Sequence, residues 1–164
     1  NNISAAKEKG IDALTANIYS DNLADTLELN DVGYLMALTG NAEINDFALN
    51  MFTEQFGENG AFRLIHANEK GNKALQNKQH LFSSTHDYIA LEETARLFPE
   101  VLEITFKDQS NYEDVMQQAA KAPNSIPLVL KEKEGDLKII PSYETQSNES
   151  KEGMRLVYLG KPLA

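Results

Sequence analysis

The sequence contains no cysteine among its 164 residues and no apolar run approaching the roughly 20 residues that a membrane-spanning helix needs. The missing thiols exclude disulfides and thiolate metal sites and fit a reducing cytosolic compartment. Lysine and arginine total 15 against 25 aspartates and glutamates, giving a net charge of -10. A nucleic-acid surface needs clustered basic residues. We therefore expect a soluble chain that neither binds nucleic acid nor inserts into a membrane.

Catalytic and metal-binding patterns are also missing. No serine lies in a G-x-S-x-G context, and no histidine has a second histidine at helical ligand spacing. His66, His80 and His86 are therefore interpreted as surface or linker residues. The acidic groups Glu92-Glu93 and Glu132-Glu134-Asp136 are typical of solvated faces and a hairpin tip. We expect no metal site, no catalytic residues and no enzyme activity.

What the sequence does contain is a strand, a polar turn, a helix and a second strand in residues 33–65. The apolar run 34–38 stops at Thr39-Gly40-Asn41, and the next apolar residues recur at helical spacing from Ile44 to Phe56. Gly57 stands where a left-handed C-cap is expected, and 61–65 is the next apolar run. This pattern predicts a β-α-β unit with parallel strands.

The preceding residues extend the alternation. Residues 3–9 predict a short helix closed by Gly10, 11–16 predict a strand, and 17–25 contain a short helical turn. The order α, β, α, β, α, β is that of a doubly wound sheet. We therefore assign 1–66 to a partial Rossmann-like domain with a parallel sheet.

The second half predicts a small α+β domain over 80–164, after a polar linker at 67–79. One helix is capped by Asp87 and stopped by Pro99, and another opens with a capping box of Ser110 and Glu113. Strands are predicted at 102–106, 126–130, 137–140 and 154–159, antiparallel near the end, with a polar loop at 143–152. The fold class is thus α/β, a partial parallel sheet followed by an α+β domain.

Candidate ligand-binding residues follow the predicted parallel strands. Asn17, Thr39 and Asn41 stand at the carboxyl ends of strands, where open α/β sheets bind ligands. The alternative is that Asn41 or Gly40 only caps the helix. The nine glycines nowhere form G-x-G-x-x-G, so these residues cannot cradle a pyrophosphate in the usual way.

Residues 3–66 resemble a known family. The stretches are Gly10 to Ile18, Leu27-Glu28-Leu29, Leu35 to Asn45, Phe56-Gly57 and Phe62-Arg63-Leu64. Together they resemble the nucleotide-binding regulatory domain of potassium channels and transporters, of the TrkA-N or RCK type. The version carried as a cytosolic C-terminal tail by bacterial monovalent cation:proton antiporters is the most similar. Ile126-Pro127-Leu128-Val129 and Gly135-Asp136 are more weakly similar to the small domain that follows it in those antiporters.

The resemblance implies a non-catalytic regulatory domain on the cytoplasmic face of the plasma membrane. Its partners would be the transmembrane antiporter domain of the same chain and further copies of itself. No cofactor is expected for these residues alone, and the full-length parent would bind NAD(H) or an adenine nucleotide. Two alternatives remain open, a fragment of an NAD-dependent oxidoreductase and a structural dimerisation domain.

One departure from the family carries a structural expectation. The sequence begins without an initiator methionine, at the position of the helix after the family's second strand, so we interpret it as an excised fragment. The family's first strand, which normally neighbours the strand at 33–38, would then be missing. An open apolar edge favours aggregation. We expect it to be covered by the strand at 11–16 or by another copy of the chain.

Overall fold

The computed structural model describes residues 2–27, 29, 32–75, 77–140 and 150–163. Contacts between Cα atoms divide the chain into two compact units, Asn1–Gly33 and Tyr34–Ala164. This division differs from the predicted domains at 1–66 and 80–164. The expected β-α-β unit and the expected α+β region therefore belong to one compact unit.

The described residues of the first unit form two short helices, α1 at Asn2–Glu8 and α2 at Leu23–Thr26. Gly10 follows α1 with a φ of +74°, as expected for the residue that closes the helix. The predicted strand at 11–16 is wrong, because these residues form no strand. Ile11 is 57% exposed and Leu14 is 63% exposed, so the segment lacks the buried face that stabilises a strand.

The second unit opens with the predicted β-α-β arrangement. Strand β1 (Leu35–Ala37) leads into helix α3 (Ala42–Phe56), which returns to strand β2 (Ala61–Leu64). Strands β1 and β2 pair in parallel, with Met36 opposite Phe62. The parallel prediction is confirmed. All four residues of β2 are buried, as expected for a strand covered on both faces.

The parallel sheet continues into residues that the sequence assigned to the second domain. Strand β3 (His80–Leu81) pairs in parallel with β2, and the sheet order over the described residues is β1-β2-β3. Two 3₁₀ turns, Ala67–Glu69 and Lys73–Leu75, lie in the connection between β2 and β3. The predicted linker is therefore a crossover segment between neighbouring strands.

One edge of the parallel sheet is formed by β1. Among the described residues β1 pairs only with β2, so the expected covering strand at 11–16 is absent. Tyr34 is 44% exposed and Leu38 is 37% exposed on either side of β1. Cover by another copy of the chain stays a prediction.

The rest of the second unit carries an antiparallel sheet and two helices. The elements are α4 (Tyr88–Leu97), β4 (Val101–Thr105), α5 (Gln109–Lys121), β5 (Ser125–Lys131), β6 (Leu137–Ile139) and β7 (Arg155–Gly160). Over the described residues the strand order is β4-β7-β5-β6, and each pairing is antiparallel. This confirms the predicted strand positions and orientation. Most of the predicted loop at 143–152 lies outside the described residues.

The ends of three helices can be compared with the capping residues that the sequence predicts. Asp87 caps α4 as predicted, because its side chain accepts a hydrogen bond from Ala90 N at 3.0 Å. The capping box at Ser110 is wrong: α5 begins earlier, and Asp108 accepts from Asn111 N at 2.8 Å. Gly57 ends α3 with the expected positive φ of 73°, but its ψ of 169° is not that of a left-handed cap.

Two apolar clusters hold the second unit together. One lies against the antiparallel sheet and includes Phe106, Tyr112 and Leu156. The other contains Phe62, Leu64, Leu81, Phe82 and Ile126. Ile126 belongs to β5, so the second cluster joins a strand of the antiparallel sheet to the parallel sheet. The two sheets therefore share part of one core.

Thr94 in α4 is fully buried, and its Oγ1 has no hydrogen-bond partner among the residues that the structure describes. A buried hydroxyl without a partner costs free energy, and an apolar group of the same shape removes that cost. We expect Thr94→Val to raise the free energy of unfolding by up to about 1 kcal/mol, measured by urea denaturation.

Thr53→Val is the matched control. Thr53 Oγ1 donates to Leu49 O at 2.6 Å and accepts from Gln79 Nε2 at 3.2 Å. In this variant the free energy of unfolding is expected to fall by about 1 kcal/mol, because the side-chain amide of Gln79 loses the Thr53 hydroxyl as an acceptor. Equal losses in both variants would show that the hydroxyl of Thr94 is satisfied.

Candidate functional site

The turn after β1 is closed by hydrogen bonds between Thr39 and Asn45. Asn45 Oδ1 accepts from the Thr39 hydroxyl at 2.7 Å and from Thr39 N at 3.1 Å, while Asn45 Nδ2 donates to Thr39 O at 2.8 Å. Asn45 lies in α3 and is only 2% exposed. The buried amide thus fixes the strand-to-helix turn, and Thr39 is part of that structure.

Asn41 is the N-cap of α3. Its Oδ1 accepts from Ile44 N at 3.1 Å, which is the structural alternative that the sequence left open. Gly40 does not cap the helix. A Cβ at Gly40 would lie 2.9 Å from the ring of Tyr88, so glycine leaves room for that ring. Thr39, Gly40 and Asn41 remain exposed at the carboxyl end of β1.

Asn17 belongs to the other compact unit. Its Oδ1 accepts a hydrogen bond from Tyr19 N at 3.0 Å, which is the geometry of an Asx turn. The structure therefore brings Thr39 and Asn41 together in one turn, and it gives Asn17 a local role of its own.

A second polar feature of the parallel sheet was missed in the sequence. Arg63, in the middle of β2, is 7% exposed, and its guanidinium forms two hydrogen bonds to the Glu69 carboxylate at 2.7 and 2.8 Å. Arg63 Nε also lies 2.7 Å from Asp46 Oδ1 on α3, an ionic contact without the alignment of a hydrogen bond. A buried charge requires such partners. We call Asp46, Arg63, His66, Glu69 and His80 the charged cluster.

Two histidines complete the charged cluster. His66 Nε2 lies 3.6 Å from Asp46 Oδ1, and its Nδ1 lies 3.7 Å from Glu69 Oε2. His80 is opposite Arg63 in the β2-β3 register. Paired residues of neighbouring strands point to the same face, so His80 is placed beside the guanidinium.

The protonation of Glu69 is set by its partners. Burial alone would raise the pKa of this carboxyl group, but hydrogen bonds from Arg63 and from the backbone N–H of His66, with the charge of Arg63, lower the pKa from 4.5 to about 2. Glu69 is therefore ionised at neutral pH and holds the 3₁₀ turn against β2.

This lowered pKa predicts how acid affects stability. Glu69 binds fewer protons in the folded protein than in the unfolded chain, so its contribution is complete above pH 4.5 and is lost as the pH falls from 4.5 to about 2. We expect the free energy of unfolding to fall more steeply across this window in the native protein than in Glu69→Gln. Urea titrations at pH 5 and pH 3 compare the two slopes, and identical slopes would contradict the assignment.

A third candidate is a cavity of about 370 Å³ beside His86. Lys70, Glu93 and Lys121 line it together with the start of α4 and the end of α5. His86 is 2% exposed, its Nδ1 lies 2.5 Å from Ser83 Oγ, and its Nε2 lies 3.3 Å from Ala122 O. Burial lowers the pKa of His86, and the hydrogen bond to Ala122 opposes that shift only in part.

The Ser83 and His86 side chains contact each other within the loop before α4. Ser83 is 9% exposed, and its Oγ accepts from the backbone N–H groups of Thr85 and His86, both at 3.2 Å. The second imidazole nitrogen contacts a backbone carbonyl. These contacts give the pair a structural role in the loop before α4.

The histidine prediction is thus wrong for His80 and His86, which are buried. A signal was present for the charged cluster, since Arg63 interrupts the apolar run Ala61-Phe62-Arg63-Leu64-Ile65. An arginine inside a strand covered on both faces requires a buried anion. The sequence could not show that this anion is Glu69.

No protein-family model, curated protein or solved structure matches this chain. What the structure defines is a mixed α/β chain with a parallel sheet and an antiparallel sheet. Within the described ranges, no helix is both long and apolar enough to cross a membrane, and no group of three or more metal-ligating side chains could hold an ion.

Proposed function

We propose that this chain is a non-catalytic regulatory module of a monovalent cation:proton antiporter, on the cytoplasmic side of the membrane. In this proposal the parallel sheet is the rear part of a Rossmann-like domain of the TrkA-N or RCK type. The observation that carries it is the parallel pairing of β1 with β2 across α3, with Thr39 to Asn45 at the strand-to-helix turn. This is the arrangement that the resemblance implies for those residues.

The residues from Thr39 to Asn45, which are part of the resemblance to the family, have a physical role in the turn. The second asparagine of this stretch, Asn45, binds both the backbone and the hydroxyl of Thr39, and the first, Asn41, caps the helix. These bonds keep the carboxyl end of β1 open at the N-terminus of α3, where free N–H groups favour an anionic or polar ligand. Thr39 and Asn41 support a ligand contact because both stay exposed there.

The mechanism would be a population shift. A nucleotide, or a change in oligomeric state, would favour one arrangement of paired modules and so bias the transmembrane domain to which they are attached. The ligand proposed for the full-length parent is NAD(H) or an adenine nucleotide. The module would bind the ligand more tightly in one arrangement than in the other, and it would catalyse no reaction.

The test is isothermal titration of NAD, NADH, ATP and AMP into this chain and into the protein encoded by the complete gene. We expect binding to the longer protein, because these residues lack a glycine-rich phosphate loop. Asn41→Ser retains a capping oxygen and loses the amide, so it separates a ligand contact from helix capping. A loss of affinity in Asn41→Ser with unchanged stability supports the contact, whereas no nucleotide binding by the complete protein opposes the sensing role.

The gene itself tests the antiporter part of the proposal. About ten or more apolar segments of roughly 20 residues encoded ahead of Asn1 would support it. An upstream region without such segments would end it. Hydride transfer to an added acceptor by the complete protein would instead favour the NAD-dependent oxidoreductase.

A dimerisation role is favoured by one observation, the edge position of β1 with Tyr34 44% exposed and Leu38 37% exposed beside it. An unpaired strand edge is a template for pairing with another chain. Analytical ultracentrifugation of the native chain and of Leu38→Lys tests this role. A native dimer that becomes monomeric in the variant supports it, and a native monomer opposes it.

A further inference from the structure

The inference starts from His80, the first residue of β3. Its side chain is fully buried, and among the described residues neither of its ring nitrogens has a hydrogen-bond partner. The carboxylate oxygen Glu69 Oε1 lies 3.8 Å from His80 Nε2, beyond hydrogen-bond distance. Buried polar atoms without partners are rare in folded proteins and require an explanation.

Charged and titratable groups reach His80 from each element around it. Arg63 comes from β2, Glu69 and His66 from the segment after β2, and Asp46 from α3. Glu69 is already committed, because both of its oxygens bind Arg63 and one also accepts from His66 N at 2.7 Å. No carboxylate of the charged cluster is therefore within hydrogen-bond distance of His80.

A proton on His80 would place a second buried cation beside Arg63. Burial, the charge of Arg63 and that of His66 lower the pKa of His80 below its ordinary 6.5, while Glu69 and Asp46 compensate only in part. In the folded structure His80 is therefore favoured in its neutral form. A protonated imidazole needs either water or the carboxylate that Glu69 now gives to Arg63.

We propose that His80 is a pH-sensitive switch, whose protonation releases residues 66–75 from β2. This segment carries Glu69 and makes few other polar contacts with the rest of the described chain. They include Gly71 N donating to Ser84 O at 2.7 Å and Lys70 Nζ lying 3.6 Å from Asp87 Oδ1. Two short 3₁₀ turns lie in the segment, so local opening does not require the sheet to unfold.

The direction of the switch follows from linkage. In the closed state His80 has a lowered pKa, and in the open state it is in water with a pKa near 6.5. The open state therefore binds more protons between these two values. The stability that neutral His80 gives the closed state is fully present above pH 6.5 and is lost as the pH falls below that value. For Glu69 the corresponding loss begins lower, at pH 4.5.

Two measurements on the native chain test the proposal together. An NMR titration of the His80 imidazole measures its pKa, and amide hydrogen exchange at pH 7.5 and pH 5.5, corrected for intrinsic exchange rates, measures the opening of 66–75. Between pH 7.5 and pH 5.5 the protection factors of this segment should fall by up to about tenfold, because pH 5.5 lies 1 unit below the open-state pKa of 6.5. Protection in α5 should stay unchanged.

Three variants assign the effect. His80→Phe removes the titrating group and should abolish the pH dependence of protection in 66–75. His86→Gln, at the other buried histidine, should leave that dependence in place. His66→Gln, in the segment itself, should weaken it only in part, because the charge of His66 is one of three causes that lower the pKa of His80. The proposal is overturned if His80 titrates at or above 6.5 in the native chain, or if protection in 66–75 does not change with pH. The native measurements stand even where His80→Phe fails to fold.

Discussion

Glu69→Gln is expected to lower the free energy of unfolding by about 3 kcal/mol at pH 7, the lower end of the range for breaking a buried ion pair. The side chain of Arg63 is 8% exposed and that of Glu69 is 12% exposed, so the guanidinium cannot recover its lost partner from water. Asp46 is 48% exposed and compensates in part, which places the effect at the lower end. Urea denaturation at pH 7 measures it.

Glu103→Gln is the matched control, because Glu103 also binds an arginine. Arg155 Nη1 lies 2.8 Å from Glu103 Oε2, but the two side chains are 36% and 41% exposed. A solvated pair contributes little, so this variant should change stability by less than about 0.5 kcal/mol. Similar losses in the two variants would contradict the buried character of the charged cluster. Arg63→Met combined with Glu69→Leu should recover part of the loss, because it leaves no buried charge unpaired and Asp46, the other partner of Arg63, is 48% exposed.

Ile126→Ala is expected to cost about 2 to 5 kcal/mol, since it opens a cavity at a fully buried site. Ile126 is in the antiparallel sheet, yet it packs in one cluster with Phe62 and Leu64 of the parallel sheet. The lost contacts therefore lie on both sides of the predicted domain boundary. We expect a single cooperative transition at lower urea concentration, seen equally by circular dichroism and tyrosine fluorescence.

Leu137→Ala provides the control on the same sheet. Leu137 is 51% exposed, so its truncation should change the free energy of unfolding by less than about 0.5 kcal/mol. Two separated transitions in Ile126→Ala would show that the sheets unfold independently. That result would favour the predicted domains 1–66 and 80–164 over one cooperative unit.

Periodicity was sufficient to predict most elements of the second unit. The helical spacing from Ile44 to Phe56 and the alternation of Leu102, Ile104 and Phe106 are local patterns, and the helix and strand form where they were expected. The β-α-β connection also implied parallel strands, because a helical crossover returns the chain in the same direction. Asp87 was recognised as a cap because capping needs only a few neighbouring residues.

The errors occurred where several local solutions compete. Residues 11–16 are apolar enough for a strand, but a strand needs a paired neighbour and a buried face, and neither is a property of six residues. Both Asp108 and Ser110 can cap α5, and only the position at which β4 ends decides between them. The short strand β3 has just two residues, too few to show a period.

The candidate functional residues also fall into two groups, those that the local sequence predicts and those that only the folded structure brings together. Thr39 and Asn41 were identified from the strand-to-helix turn, and their hydrogen bonds stay within six residues. The charged cluster was not identified, because Asp46, Arg63 and His80 come from three different elements. Arg63 signalled a buried charge, but nothing in the order of residues named its partner.

The sequence by itself determined the helices, most of the strands and the parallel direction of β1 and β2, because periodicity and turn residues act over a few positions. Only the tertiary structure decided that β3 joins the parallel sheet, that Ile126 belongs to its core, and that Glu69 and His80 meet Arg63. Contacts between distant residues depend on register and on which faces are covered. Those are properties of the assembled sheet, and no short stretch of the chain contains them.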